Sequence, residues 1–411
     1  MARKLVVCCD GTWNTPRTET NIFRTYTFLR ERLGASVSPE SSAITGSRTC
    51  RGRDSKGDEV VLYYDEGVGT NWFDRLAGGG VGIGLSDNVQ QAYLFLATNY
   101  QPGTEIYVFG FSRGAYTARS LCGFVKATGG LLVAPSAADV WRAYFDLYAT
   151  GHETIARQSG LTVSGVRDWF ARKAGDAVGR IGRDVAAIPR HADTKITLIG
   201  VYDTVGALGI PLAGSARLNE PIVGFHDTTL GSMVENAVQA LAVDEKRGPY
   251  VPTLWTQAKD AAALAGQRVL QVWFPGVHSD IGGGYPDKGI GDITWDFMMR
   301  QAADAGLVID PAQRTPALTL QALPTQHESF DDTWRALSDR LKIVPEGVRF
   351  VGPTTVGLDG KPVPVAVKVC LHPSLVNRIG QECLTAFSAT RIVKGIYQPS
   401  NVKPDVLPLF T

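Results

Sequence analysis

The strongest constraint on this chain is an alternation. Apolar runs rich in β-branched and aromatic residues, "KLVVCC", "EVVLYYD", "EIYVFGF", "KITLIGVYD" and "RVLQVWFPG", alternate with amphipathic stretches of helical period. The latter include "NIFRTYTFLRERLG", "LSDNVQQAYLFLATNY" and "RGAYTARSLCGFVKATGG", the last closed by a glycine pair suited to left-handed backbone geometry. Strands covered on both faces read as continuous apolar runs, and helices between them imply crossover connections. The order therefore predicts an α/β chain with a doubly wound, mainly parallel sheet. In such a sheet ligands sit beyond the carboxyl ends of the strands, so chemistry is expected in the residues that follow each strand.

A chain of 411 residues accommodates this as one large domain, 1–411, with helical insertions. Two connections exceed ordinary length: 131–193 and 207–267 read either as lids over the site or as extra packing helices. From 307 to 411 the chain is expected to be an irregular extension, with a β-hairpin pattern in "EGVRFVGPTTVGLDGKPVPVAVKV". Charge nearly cancels, Lys+Arg 41 against Asp+Glu 40, so no global field draws nucleic acid. The first apolar run lasts only from Leu5 to Cys9, too short for a signal-peptide core, and no stretch is long enough to span a bilayer. A cytoplasmic location is expected, with signal-independent secretion left open and any membrane contact peripheral. The 6 cysteines show neither a CxxC pair nor metal-finger spacing, so free thiols and no metal are expected.

Within "IYVFGFSRGAYTAR", Gly110, Ser112 and Gly114 fit G-x-S-x-G with a strand before and a helix after, the context that motif requires. The competing reading is a glycine-lined helix start with an N-cap serine. A serine hydroxyl becomes a nucleophile only if a base takes its proton and a third group orients that base. Of the 6 histidines, His278 in "VLQVWFPGVHSDIGGGY" alone directly follows a convincing core strand, and Asp203 in "ITLIGVYDTVGALG" ends another. The order Ser112, Asp203, His278 is that of the α/β hydrolases. Asp280 and Asp244 are rival acids ranked behind Asp203. The Arg113 backbone N–H faces a developing oxyanion, and the loop in "VVCCDGTWN" offers a second N–H from Gly11 or Thr12, with Asp10 and Asn14 bracing the turn. Cys8 stands where a haloacid-dehalogenase phosphatase needs its aspartate nucleophile, which excludes that class. Arg119 is assigned to solvating its helix.

With these stretches in hand, "CDGTWN", "YDEGVGT", "GLSDNVQQAYLFLATNYQPGTEIYVFGFSRGAYTAR", "GVYDTVGALG", "DEKR", "WFPGVHSDIGGGY" and "LHPSLVNRI" resemble the signatures of a widespread α/β-hydrolase family long labelled as a domain of unknown function. The phospholipase effectors of type VI secretion are similar to it too. The resemblance runs from Cys9 to about Ile379. It implies Ser112 as nucleophile with Asp203 and His278 as partners, and an esterase without cofactor acting on acyl esters, phospholipids being the substrate of the effector branch. Two departures stand out. Gln239 and Ala240 occupy positions where members often show His-Ala, and the membrane-docking regions of the large effectors have little counterpart here. A scaffold protein without turnover and an acyltransferase remain the alternatives.

Overall fold

The computed structural model describes residues 2–11, 14, 18–33, 40–41, 47–67, 81–149, 183–205, 230–248, 250–255, 266–308, 323–330, 335, 347–352, 354–356, 362–364, 368–402 and 407–410. Every predicted core strand is there. They are β1 (Arg3–Cys9), β3 (Glu59–Asp65), β4 (Glu105–Phe111), β5 (Ile196–Tyr202) and β7 (Arg268–Phe274). β2 (Ser47–Arg53), β6 (Val234–Ala242) and β8 (Lys368–Leu371) join them. The nine-stranded sheet runs β8-β7-β6-β5-β4-β1-β3-β2, ending on the two-residue strand Glu40–Ser41. All pairings from β8 across to β3 are parallel, and only the two edge pairings, β3 with β2 and β2 with the outermost strand, are antiparallel.

The chain leaves β1 toward β3 on one side, then crosses to β4 on the other, which puts the topological switch point between β1 and β4. Their carboxyl ends are where a doubly wound sheet opens a crevice. Helices α2 (Val81–Asn99) and α3 (Arg113–Ala127) pack on one face, through Ala92, Leu96, Leu121 and Phe124 against Val7, Ile106 and Val108. Helices α1 (Asn21–Glu31) and α5 (Gly289–Asp304) cover the other, with Ile22, Tyr26, Trp295 and Met298 against Val6, Phe109 and Leu198. This alternation of side chains follows from the period of two along each strand.

The structure corrects two readings of the chain. Residues 207–267 are not one excursion, because β6 lies inside them and forms the middle of the sheet between β5 and β7. Its sequence "VENAVQALA" is broken by Asn236 and Gln239, which hides the strand. Gln239 is fully buried and satisfied instead: Thr204 donates to its Oε1 (2.6 Å) and its Nε2 donates to the Thr253 carbonyl (3.1 Å). Nor is 307–411 simply an extension, since β8 pairs with β7 and completes the core sheet. The hairpin expected there forms between Thr354–Val356 and Pro362–Pro364. The stretch "GVRDWFARKAGDAVGRI" and the greater part of both excursions lie outside the described residues, as does the question of lids.

Candidate active site

Ser112 is the residue between β4 and α3, and its backbone has φ 57° and ψ −120°. A non-glycine residue at positive φ stores about 1–3 kcal/mol of strain, held only where the surroundings over-determine it. Its side chain makes no capping hydrogen bond to the helix, so the N-cap reading of the motif fails. Its backbone N–H donates to the Tyr202 carbonyl (3.1 Å), tying the turn to the end of β5. The flanking glycines permit the approach. An ideal Cβ on Gly110 would lie 2.5 Å from the Gly114 carbonyl oxygen, and one on Gly114 would overlap the Cys9 carbonyl. Gly114→Ala is accordingly expected to lower unfolding free energy by about 3 kcal/mol or more, because backbone, not a pliable side chain, is in the way. Urea unfolding would test it, with Gly395→Ala as control: a Cβ there meets nothing within 4 Å, and the change should stay within about 0.5 kcal/mol.

Asp203 follows β5 directly, also at positive φ (41°), and its Oδ2 lies 2.6 Å from Nδ1 of His278 at the start of the short helix α4 (His278–Ile281). Both are buried, at 0% and 4% exposure. The Ala242 N–H at the end of β6 donates to Asp203 Oδ1 (3.0 Å), and the Asp203 N–H donates to the Ala240 carbonyl (2.7 Å). Three strand ends thus fix the carboxylate. Burial opposes its charge, but Arg349 and His278 outweigh that and hold the carboxyl well below the usual range. Burial likewise pushes the His278 imidazole below its ordinary 6.5, against the pull of Asp203. The ring packs 4.8 Å from that of Phe111, the residue before Ser112, and 5.1 Å from that of Tyr250. The partner of the imidazole is Asp203; no hydrogen bond joins it to the Ser112 hydroxyl, a contact that commonly tightens only with substrate bound.

Asp10 directly follows β1 and is buried, accepting from Thr20 Oγ1 (2.7 Å), Tyr64 OH (2.9 Å) and the Gly11 N–H (2.7 Å). Burial still pushes its carboxyl up to about 6. The Gly11 N–H is therefore committed to Asp10 rather than aimed at an oxyanion, which corrects that assignment; Thr12 lies outside the described residues. Gly11 serves close approach instead, since a Cβ on it would lie 3.3 Å from Ser112 Cβ. Arg119 is not solvated. It is 6% exposed, donates to the Thr253 carbonyl (2.6 Å) and lies over the Trp255 ring. Segment 250–255 covers that helix face, and nothing local to α3 announces it. The rival acids are engaged elsewhere: Asp280 with His327 (2.6 Å), Asp244 with the Gly276 N–H (2.6 Å) and Tyr397 OH (2.9 Å). Among the described residues no cluster of His, Cys, Asp or Glu is placed to hold a metal ion.

Two site residues escaped sequence reasoning. Glu245 accepts the His278 backbone N–H (3.2 Å) and pairs with Arg247 (2.8 Å); its signal was "DEKR" beyond β6, a strand end once β6 is known. Arg349 grips Asp203 through both terminal guanidinium nitrogens, and its setting in an irregular stretch carries no signal at all.

A family model described as the type VI secretion system (T6SS) phospholipase effector Tle1-like catalytic domain matches residues 3–301. The uncharacterized protein YEL023C of Saccharomyces cerevisiae is 23% identical over 281 residues, 62% of this chain and 34% of its own length. The solved structures similar to this chain include two of named proteins. One is the Tle1 effector bound to the VgrG spike of the type 6 secretion system, with TM-score 0.35 and 16% identity over 70% of this chain and 52% of that one. The other is the thermophilic esterase Est2 of Thermogutta terrifontis with propionate bound, with TM-score 0.34 and 12% identity over 75% and 85%. The chain spans about a third of the yeast relative and about half of the Tle1 chain.

Proposed function

The chain belongs to the T6SS Tle1-like phospholipase effector family, and we propose that it is a serine hydrolase cleaving acyl ester bonds, lipid esters among them, through an acyl-enzyme. The observation carrying this reading is Ser112 on strained backbone at a strand–helix turn, uncapped and beside a buried Asp203–His278 pair. In this reading His278 Nε2 takes the Ser112 hydroxyl proton as Oγ bonds to the ester carbonyl carbon. The carbonyl oxygen takes up the displaced electron pair and meets the Arg113 N–H at the start of α3. The imidazolium then returns its proton to the leaving alkoxide as the C–O bond breaks. Water repeats both steps on the acyl-enzyme and regenerates Ser112. Asp203, ionised and accepting from Nδ1–H, leaves Nε2 as the free basic nitrogen.

The hydrogen bond of the imidazole goes to Asp203, which leaves one competitor, a binding protein on the same fold without turnover. A fluorophosphonate probe decides between them. Labelling that maps to Ser112 by peptide mass spectrometry is the expected result; an intact protein that stays unlabelled would overturn the hydrolase reading. Assays on soluble short-chain esters beside phospholipid vesicles then separate a general esterase from a phospholipase, the latter favoured by family.

A further inference from the structure

Arg349 lies beyond the residues 3–301 that the family model matches, yet it reaches the acid of the candidate triad. Its NH1 donates to Asp203 Oδ1 (2.6 Å) and its NH2 to Oδ2 (2.9 Å), a two-point grip on one carboxylate. The same nitrogens donate to the carbonyls of Ala242 (2.8 Å) and Tyr250 (2.6 Å), so the planar guanidinium is locked in place rather than resting against the acid. Asn401 holds the segment from behind, donating to the Arg349 carbonyl (3.0 Å) and the Val243 carbonyl (3.1 Å). The ion pair is buried, with side-chain exposures of 4% and 0%.

We propose that Arg349 is a positioning residue of the hydrolytic machinery, which fixes the orientation of Asp203 and offsets its charge so that His278 stays a neutral base. This rests on the serine-hydrolase reading above. Asp203 has two oxygens and one task, to accept from Nδ1–H of His278. Bound only by the Ala242 N–H and the imidazole, the carboxylate could turn about its Cβ–Cγ bond; the guanidinium fork removes that freedom. The charges facing the imidazole govern its protonation. They are the carboxylates of Asp203 and Glu245, and the guanidinium groups of Arg247, paired with Glu245, and Arg349, paired with Asp203. Tyr250 packs against the ring, and Arg113 interacts electrostatically with Tyr250. Each carboxylate thus has one cation. Deleting Arg349 leaves the Asp203 charge uncompensated beside His278, which favours the imidazolium and removes the base at a higher pH.

The test measures kcat, KM and the pH profile of kcat/KM on a soluble p-nitrophenyl ester for wild type, Arg349→Met and Arg349→Lys. Arg349→Met should lower kcat about 10- to 100-fold at nearly unchanged KM, by analogy with the loss of a hydrogen-bonded support behind a metal-ligating side chain. Its acid limb should move up by about one pH unit, the shift expected when a neighbouring charge is removed. Arg349→Lys keeps the charge without the fork, so the limb stays near wild type while kcat still falls. A folded Arg349→Met with wild-type kcat and acid limb would overturn the proposal. If that variant does not fold, Arg349→Lys decides: wild-type kcat there would mean a merely structural cation, whereas lower kcat at unchanged KM and melting temperature supports positioning. The His278 ring titration, followed by NMR, reads the same pH shift without turnover. A wild type that titrates and shifts as described yet never hydrolyses ester or takes the probe would sink the hydrolase reading alone.

Discussion

Ser112→Ala is expected to abolish ester hydrolysis, with kcat falling by about a millionfold, the scale on which loss of a triad nucleophile is measured. Alanine is the informative substitution because it keeps the Cβ, and with it the strained backbone at φ 57°, while removing only the hydroxyl. Folding should be untouched, which near-ultraviolet circular dichroism and melting temperature would confirm. Two measurements check the chemistry: turnover of the soluble ester, and fluorophosphonate labelling, which should vanish. Undiminished turnover in a folded Ser112→Ala protein would move the nucleophile elsewhere and dissolve the role given to the elbow.

The second large effect is that of Asp203→Asn, for which kcat is expected to fall about 10,000-fold, since an amide holds the imidazole in the wrong tautomer. The substitution also leaves the buried Arg349 without its counter-charge, a change that typically costs about 3–5 kcal/mol of stability. Activity must therefore be expressed per folded molecule. The pH profile supplies the sign. In wild type, burial places the His278 pKa below its ordinary 6.5, and the base works only when neutral, so the acid limb of kcat/KM should lie below that of an ordinary imidazole. Asp203, held well below the usual carboxylate range, stays ionised across that limb. Removing its negative charge removes an interaction that favours the imidazolium, so the acid limb should move to still lower pH. That is opposite to the shift expected of Arg349→Met. Shifts of the same sign in the two variants would contradict the charge arrangement drawn from the structure.

Much of this was legible in the chain itself. The parallel core strands announced themselves because both their faces are buried, so each carries an unbroken apolar run; in β1, Leu5, Val6, Val7 and Cys8 are all at 0% exposure. The elbow was legible for a related reason. A helix that begins flush against a neighbouring strand end tolerates no Cβ at Gly110 or Gly114, so the steric demand is written into residue identity. Asp203 and His278 could be picked out because each follows such a strand. β6 could not, since Asn236 and Gln239 interrupt its apolar run and find their partners only from other segments, Thr204 and Thr253 for Gln239 and the Thr197 carbonyl for Asn236. Gly11 was misread for a similar reason: whether an N–H points outward or back to the preceding carboxylate depends on a loop's local geometry, not its composition.

What the sequence by itself determined is five core strands of a doubly wound, mainly parallel sheet and the candidate nucleophile, acid and base at their ends. These depend on period, burial and the volume of single residues, and such properties are local. Only the tertiary structure decided what surrounds the acid and the base. Arg349 reaches Asp203 across 146 positions of chain, and Glu245 meets the His278 N–H across 33. Contacts of that kind arise where distant segments meet in a medium too poor in water to leave a carboxylate alone. Nothing in the neighbourhood of an arginine along the chain records which carboxylate it will neutralise.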